Sequence, residues 1–520
     1  MANKALFPSA ARVAPSTDTI NEAGGDAYLR DPKNALAQAV CAGSLGGTYY
    51  VNAEAELDAV LQLARDPNIP ATFVGRLSAY ARKEMGMKDT PALLLASLSV
   101  RDPAEFRRAF PSVCNTGRVL RTFVQIIRSG KVGRKSLGKA PREMIQRWLL
   151  GRRFDALVRD SVGNDPSLAD VVRMVHPKPT SKEQAAAFAW LIGKAADGLP
   201  EPMASLERFR ADQSGEVPDV HFMLLSALGL SKDQWRTVFV QASWMTTLMN
   251  LNTASRHGVY EDAATVAAIA ARLAGEPNSV HPYRLYAAYK AAFENAPPAI
   301  RDVLMQAVNK AADHAPQLAG DVVVAVDVSG SMRNPITGQR GSATSAMSCS
   351  EVASLFAACV ARRNPSARVW CFDTALYTKP GFNNYDSVFT IAQRIASFGG
   401  GGTAVQLPLE EIERARLTPD LVLIVSDNES WIGEGNPTAQ AWCRIAGRVP
   451  KCRLVCLDLT PSRSVQVKSE PRVLNVGGFS ERVWDVVADF AAGKMDGSRC
   501  WVDRIEKYQY RSVTDDEETS

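Results

Sequence analysis

No apolar run in this 520-residue chain approaches the roughly 18 residues that a membrane-spanning helix needs; the longest, such as Ala92–Val100, reach half that length. No membrane partner is therefore expected. Behind Lys4 there is no apolar segment leading to a small-residue cleavage site, so no secretory signal is expected either. Cysteine is present at the odd number of nine, and its most closely spaced pair, Cys452 and Cys456, is not a CxxC. The cysteines sit in apolar segments such as Ala357–Val360 and Arg368–Phe372, which reads as reduced, buried thiols and predicts a cytoplasmic location. Histidine is scarce at five, without metal spacing, nucleophile partner or triad pattern, so no catalytic residue is assigned and no enzyme is expected. An apolar fraction of 46% and a charged fraction of 22% exclude disorder, collagen and low complexity for the bulk of the chain. At about 150 residues per domain, the length points to two to four domains.

The net charge of +5 conceals a strong local imbalance. Between Arg118 and Arg153 stand eleven basic residues and one acidic residue, Glu143, and the other 484 residues carry a net −5. The chain closes on Asp515-Asp516-Glu517-Glu518, read as a solvated acidic tail.

Before residue 320 the text is helical. Leu57, Val60, Leu61 and Ala64 follow the i, i+3, i+4, i+7 rule, as do Ile300, Val303, Leu304 and Val308, and Leu285, Ala288/Tyr289 and Ala292/Phe293. Asp66-Pro67, Asp89-Thr90-Pro91 and Asp102-Pro103 each read as a capping residue ahead of a helix-opening proline. No β-branched run of strand length is found in residues 21–318. Some fifteen short helices in series, grouping into pairs of about 35–45 residues, predict degenerate HEAT-type repeats.

After residue 320 the period changes. Asp321–Asp327 is a continuous β-branched run, as a strand buried on both faces requires. Arg368–Asp373, Leu421–Ser426 and Arg453–Leu457 follow as strands, with helical text between them. This alternation predicts a parallel α/β sheet with its functional site at the carboxyl ends of the strands. The expected division is an N-terminal tail (1–20), a helical-repeat domain (21–318), an α/β domain (319–500) and a C-terminal segment with the acidic tail (501–520).

Those strand ends carry the sharpest motif. The first gives Asp327-Val-Ser329-Gly-Ser331, the third Asp427-Asn428-Glu429, and between them lies Gly399–Gly402 followed by Thr403. Asp327, Ser329, Ser331, Thr403 and Asp427 form an all-oxygen set of limited charge, which suits Mg²⁺ or another hard divalent cation. The two serines and Thr403 are expected to ligate directly and the two aspartates partly through water. A serine at a strand end is by itself more often a helix cap; the strand context, the glycine turn and the second aspartate favour the metal. A haloacid-dehalogenase-like phosphatase would need an aspartate where Ser329 stands. A P-loop would need a lysine where Thr403-Ala404 stands.

The basic segment offers a second chemistry. Gly130–Lys139 reads as a flexible loop with four cations, and the helix opened by Pro141 turns Met144, Ile145, Trp148 and Leu149 to a core while Arg142 and Arg147 stay off it. Arg118, Arg121, Arg134, Lys135, Lys139 and Arg142 are candidate phosphate contacts, because clustered cations release condensed counterions without reading sequence. No aromatic platform interleaves with them, which predicts phosphate-dominated, weakly sequence-specific binding.

Asp-x-Ser-x-Ser with a distant Thr and a distant Asp resembles the metal-ion-dependent adhesion site of von Willebrand factor A domains. Asp327–Met332, Gly401–Thr403 and Asp427–Glu429 resemble, more specifically, the A domain of the Ro autoantigen family. Val172–Pro179, Met245–Asn252 and Val280–Tyr283 resemble motifs of that family's helical (TROVE) module, and the likeness spans roughly residues 25–490. The loop Arg333–Ser348 is longer than the family pattern. The resemblance implies a bacterial member of the family: a HEAT-like helical ring closed by a Rossmann-like A domain. It implies binding of small structured non-coding (Y-like) RNA on the outside of the ring and of single-stranded ends of misfolded RNA in its hole. It further implies action in RNA quality control or decay, with an exoribonuclease such as polynucleotide phosphorylase as partner, and a monomer. It places Arg173, His176 and Lys178 on the family's RNA-binding segment. The competing reading is a Mg²⁺-dependent protein-adhesion or complex-assembly module in which the A domain is the active part and the helices are scaffold.

Overall fold

The computed structural model describes residues 14–43, 45–275, 280–338 and 347–510. The acidic run Asp515–Glu518, the start of the N-terminal tail and the middle of the Arg333–Ser348 loop lie outside them. No helix among the described residues is long and apolar enough to cross a membrane. The chain divides into two compact units that do not follow its linear order. One comprises Met1–Val60, Pro277–Ala287 and Met305–Arg504; the other comprises Leu61–Glu276, Ala288–Leu304 and Ile505–Ser520.

The first unit is built on a six-stranded sheet. Nine strands occur among the described residues: β1 (Thr19–Ile20), β2 (Asp26–Leu29), β3 (Val322–Asp327), β4 (Arg368–Phe372), β5 (Leu376–Tyr377), β6 (Leu421–Ser426), β7 (Arg453–Asp458), β8 (Ser464–Val465) and β9 (Val473–Gly477). The central sheet runs β5-β4-β3-β6-β7-β9, parallel except for β5, which pairs antiparallel to β4. All four strands expected from sequence are present, and β9 extends the parallel run. Every residue of β3 and β6 is buried, which explains their unbroken apolar text. Alternate residues Val323, Ala325, Val422, Ile424, Leu454 and Cys456 join one core with Trp370, Phe372, Leu409, Ile412, Trp442 and Ile445. The helix Cys349–Arg363 starts from a capping box between Ser348 and Glu351.

One expectation fails in the N-terminal stretch. Strand β2 lies within residues 21–318, where no strand was found, and it pairs antiparallel with β8 more than 430 residues away. Four residues offer too little alternation to read, and the partner strand that stabilises them is remote in sequence. The helix Pro32–Ala42 extends this attachment, with Gln38 donating to the Asn475 carbonyl at 2.9 Å and accepting from Gly477 N at 2.7 Å, so both polar ends of a buried amide are satisfied.

The second unit is all helical among the described residues, in short helices packed in succession. Among the described residues, eighteen α-helices lie between Pro32 and Ala311, where about fifteen were expected. The Pro103–Val113 helix begins as read: Asp102 accepts from Ala104 N and Glu105 N at 3.1 and 3.0 Å, with Pro103 at the first position. The other two signals were misplaced. Asp66-Pro67 forms a turn ahead of a helix that starts at Ala71, and the helix containing Pro91 starts at Asp89. The Gly117–Ser129 helix buries Val119, Leu120, Phe123, Val124 and Ile127 on one stripe, and Phe106, Phe110 and Phe123 stack into one cluster with centroids 5.6–5.8 Å apart.

Candidate metal centre and nucleic-acid interface

The carboxyl ends of β3 and β6 bring the predicted oxygens together. Asp327 Oδ1 accepts from Ser329 N at 2.8 Å, and Oδ2 accepts from Ser426 Oγ at 2.6 Å. Ser329 Oγ lies 3.2 Å from Ser331 Oγ. Two adjacent ligands of an octahedral Mg²⁺ stand about 3.0 Å apart, so this spacing suits one cation edge. The glycine turn is laced to the end of β3: Gly400 N donates to the Val328 carbonyl and Gly330 N to the Gly401 carbonyl, both at 2.9 Å. Gly399 has φ +85°, and a side chain there would overlap the Val328 carbonyl oxygen, so glycine is what allows the approach. Ala404 N donates to the Asp373 carbonyl at 3.1 Å, which holds the buried Thr403 at the same rim.

All five candidate ligands are buried. Burial, reinforced by the charge of Asp427, pushes the Asp327 carboxyl up to about 7, and burial raises Asp427 too. Two carboxyls shut from water favour a partner that offsets their charge, and a divalent ion held by them would supply it. The donor set therefore fits a hard cation: Ser329, Ser331 and Thr403 would supply hydroxyls, and Asp327 and Asp427 the negative charge. Bound there, the ion would act as a Lewis acid able to take up an acidic group. Among the described residues, no cluster of three or more His, Cys, Asp or Glu side chains is arranged to hold a metal.

The structure adds residues the motif did not name. Ser426 holds Asp327 in place and also accepts from Asn428 N at 2.9 Å, while Asn428 adopts φ +64°. Asp373, at the end of β4, accepts from Gly401 N at 3.1 Å and Ala375 N at 2.9 Å, fixing the glycine turn. Ser426 closes β6 and Asp373 follows β4, and that position at a strand end was the signal available. Residues 321–491 match the family model for the Ro60 vWA domain.

This segment is similar to the von Willebrand factor A domain of Ro60 proteins.

Similarity to Ro proteins extends beyond the A domain. An RNA-binding protein RO60 of Deinococcus radiodurans is 24% identical over 528 residues, covering 91% of this chain and 95% of that one. An RNA-binding protein RO60 of Caenorhabditis elegans is 25% identical over 198 residues, 38% of this chain and 30% of that one. The crystal structure of the Deinococcus radiodurans RO (RSR) protein superposes with a TM-score of 0.64 at 20% identity, covering 89% of this chain and all of that one. The fold is thus the Ro fold: a helical N-terminal region followed by the Ro60-type A domain.

In the helical unit the basic residues fall into two classes. Arg118, Lys135, Arg142 and Lys178 are exposed and have no ion-pair partner among the described residues. Lys139 is exposed but lies 3.9 Å from Glu143, which also pairs with Arg107 at 3.3 Å. Arg121 and Arg134 are instead half-buried and used internally. Arg121 Nε donates to the Gly117 carbonyl at 3.2 Å, and Arg134 Nη2 donates to Ser99 Oγ at 2.9 Å. Trp148, expected in the core, is half-buried; its N–H donates to the Cys114 carbonyl at 2.5 Å and the Arg152 guanidinium lies 4.5 Å over its ring.

The segment around His176 joins this surface. The Leu168–Val175 helix ends at His176 in the left-handed region, φ +49°, and Gln146 of the Lys139–Leu150 helix donates to the Val175 carbonyl at 2.6 Å. Lys139, Arg142 and Gln146 share one helix face at i, i+3, i+7, so the bond sets exposed His176 beside Arg142's face. Arg173 pairs with Asp170 at 3.4 Å and donates to the Ile192 carbonyl at 2.7 Å, which leaves it partly engaged.

Proposed function

We propose that the protein is an RNA-binding protein of the Ro type whose affinity comes from phosphate contacts on the face shared by the Gly130–Leu150 segment and the His176 turn. The observation that carries this reading is the set of exposed cations without ion-pair partners on and beside the Lys139–Leu150 helix (Lys135 in the loop before it, Arg142 on it, Lys178 just past the Leu168–Val175 helix bonded to it), in a chain whose residues outside 118–153 are net negative. The curated relatives are named RNA-binding proteins, which supports it. On this reading the ligands are small structured Y-like RNAs and the single-stranded ends of misfolded RNA. The role is quality control or decay in the cytoplasm, with an exoribonuclease such as polynucleotide phosphorylase as downstream partner and the protein itself monomeric. Purification without nuclease, followed by sequencing of crosslinked RNA, tests it. Structured non-coding RNA crosslinked to Lys135, Arg142 or His176 supports it, and protein free of RNA that also fails to bind structured RNA in filter assays refutes it.

A second activity rests on the buried Asp327/Asp427 pair: Mg²⁺ at the A domain, presented to an acidic protein ligand. The two readings are compatible, since the cations and the oxygen site occupy different compact units.

A further inference from the structure

We propose that the A-domain sheet carries a strand-addition site at Val369, near the amino end of β4 and away from the oxygen site, for an extended acidic segment of a partner protein. Val328 N donates to the Phe372 carbonyl at 2.9 Å, so Phe372 turns its backbone groups toward β3, and by the alternation of a strand Trp370 and Arg368 do the same. The backbone groups of Val369 and Cys371 therefore point to the outer edge, as does Asp373 N, which donates to the Ala375 carbonyl at 3.0 Å. Cys371 meets Tyr377 of β5 there, and pairing stops at that residue. Continued register would set Lys379 opposite Val369. Instead the chain leaves the edge through Pro380, which has no N–H to give and whose carbonyl accepts from Arg394 Nε at 3.1 Å. On the other side of Val369, the Asn384 side chain donates to the Ala367 and Pro365 carbonyls at 2.8 and 3.0 Å and so takes the place of a strand. Between these two capped positions, the N–H and C=O of Val369 have no hydrogen-bond partner among the described residues.

This open rung faces a cavity of ≈ 530 Å³ lined by Val369 and by residues 378–384 and 386, within the size range of ligand sites. The loop around it is braced. Asp386 accepts from Asn383 N at 2.9 Å, Asn383 accepts from Tyr385 N at 3.0 Å, and Arg362 donates to the Tyr385 and Asp386 carbonyls. An unpaired sheet edge is a template for another chain, and proteins ordinarily blunt it; here both neighbours of Val369 are blunted and the gap is held open. A strand added antiparallel to β4, in line with β5, would exchange two hydrogen bonds with Val369 and find Pro380 and Phe382 in the wall for an apolar side chain. Charge selects the occupant. Lys379 is exposed at the cavity and has no ion-pair partner among the described residues, while the Asp386 carboxylate is engaged by Asn383 N and Arg368 is paired with Asp321. A second copy of this chain fits less well, because its own edge is covered by the same loop.

Hydrogen exchange in the full chain, read residue by residue through electron-transfer fragmentation, tests the open rung without any partner. The Val369 amide should exchange at least about a hundredfold faster than those of Trp370 and Cys371, which β3 and β5 hold. A phage-displayed library of nine-residue peptides, selected on the full chain, supplies the probe. Selected peptides should carry Asp or Glu near an apolar residue, and the synthetic peptide at saturation should slow Val369 exchange at least about tenfold. N-methylation along the peptide should abolish binding at the residue that donates to the Val369 carbonyl. Lys379→Ala should weaken binding up to about fivefold, as one exposed ion pair allows, and unchanged affinity there overturns the acidic occupant. A Val369 amide already protected in the free protein overturns the site, as does a library that yields no binder or only binders that leave Val369 exchange unchanged. Slowing of Val369 exchange by raised protein concentration alone would give the edge to a second copy, and slowing by single-stranded RNA would give it to RNA; either overturns the partner segment.

Discussion

Replacing Lys135, Arg142 and Lys178 with Ala removes three exposed cations that have no ion-pair partner in the described structure, so each substitution deletes charge without breaking a folded contact. If each meets one phosphate, the slope of log K against log salt flattens by about 0.7–0.9 per residue, or roughly two units for the triple variant. At about 0.1 M salt the same counterion term amounts to ~1 kcal/mol per contact, so the triple variant should bind structured RNA about a hundredfold more weakly. Arg121→Ala with Arg134→Ala is the matched control. These side chains donate to Gly117 and Ser99, so their loss should cost stability, ~1 kcal/mol for each hydrogen bond, and leave the slope nearly unchanged. Filter binding at four or five salt concentrations, with thermal unfolding alongside, measures both. A triple variant that stays folded and keeps the wild-type slope refutes the phosphate face. A control that flattens the slope as much as the triple variant refutes the division into free and internally used arginines.

Three further outcomes follow from particular contacts. Asp327→Ala should lose Mn²⁺ in a calorimetric titration while remaining folded and keeping its RNA affinity, and Mg²⁺ at 100 times its Kd should stabilise only the wild type, by ~2.7 kcal/mol. Arg30 and Asp458 form a buried ion pair at 2.8 Å, and burial pushes the aspartate up to about 7, so the two partners differ in how they tolerate being left alone. Asp458→Asn strands a guanidinium that cannot discharge and should cost ~3–5 kcal/mol in urea unfolding, whereas Arg30→Met leaves an acid that can protonate and should cost less; equal losses would contradict this asymmetry. His281 packs at a tilt against Trp484 with ring centroids 4.8 Å apart, accepts from Tyr283 N, and is held down to about 4 by burial and Arg284. The folded state keeps it neutral where the unfolded chain binds a proton, so stability is lost as pH falls from about 6.5 toward 4, by at most ~3 kcal/mol, and His281→Phe should remove that acid limb from the pH profile of unfolding.

The sequence by itself determined the class of both halves and most of the oxygen site. Continuous β-branched text marked β3 and β6, because strands covered on both faces cannot alternate. The i, i+3, i+4 stripes marked the helices, because each short helix has one face to bury. Asp327, Ser329, Ser331, Thr403 and Asp427 were legible because a parallel sheet delivers all of its strand ends to one rim, so residues far apart in sequence meet by topology alone.

Tertiary structure decided what local pattern does not encode. Strand β2 exists through β8 and Arg30 is held by Asp458, across separations that no periodicity spans. Among the cations, composition identified the cluster, but only packing separated Arg142, free on an exposed face, from Arg134, spent on Ser99. The physical reason is the same in each case. Backbone and burial preferences act over a few residues and are written locally, whereas a side chain's partner is chosen by whichever surface folding brings against it.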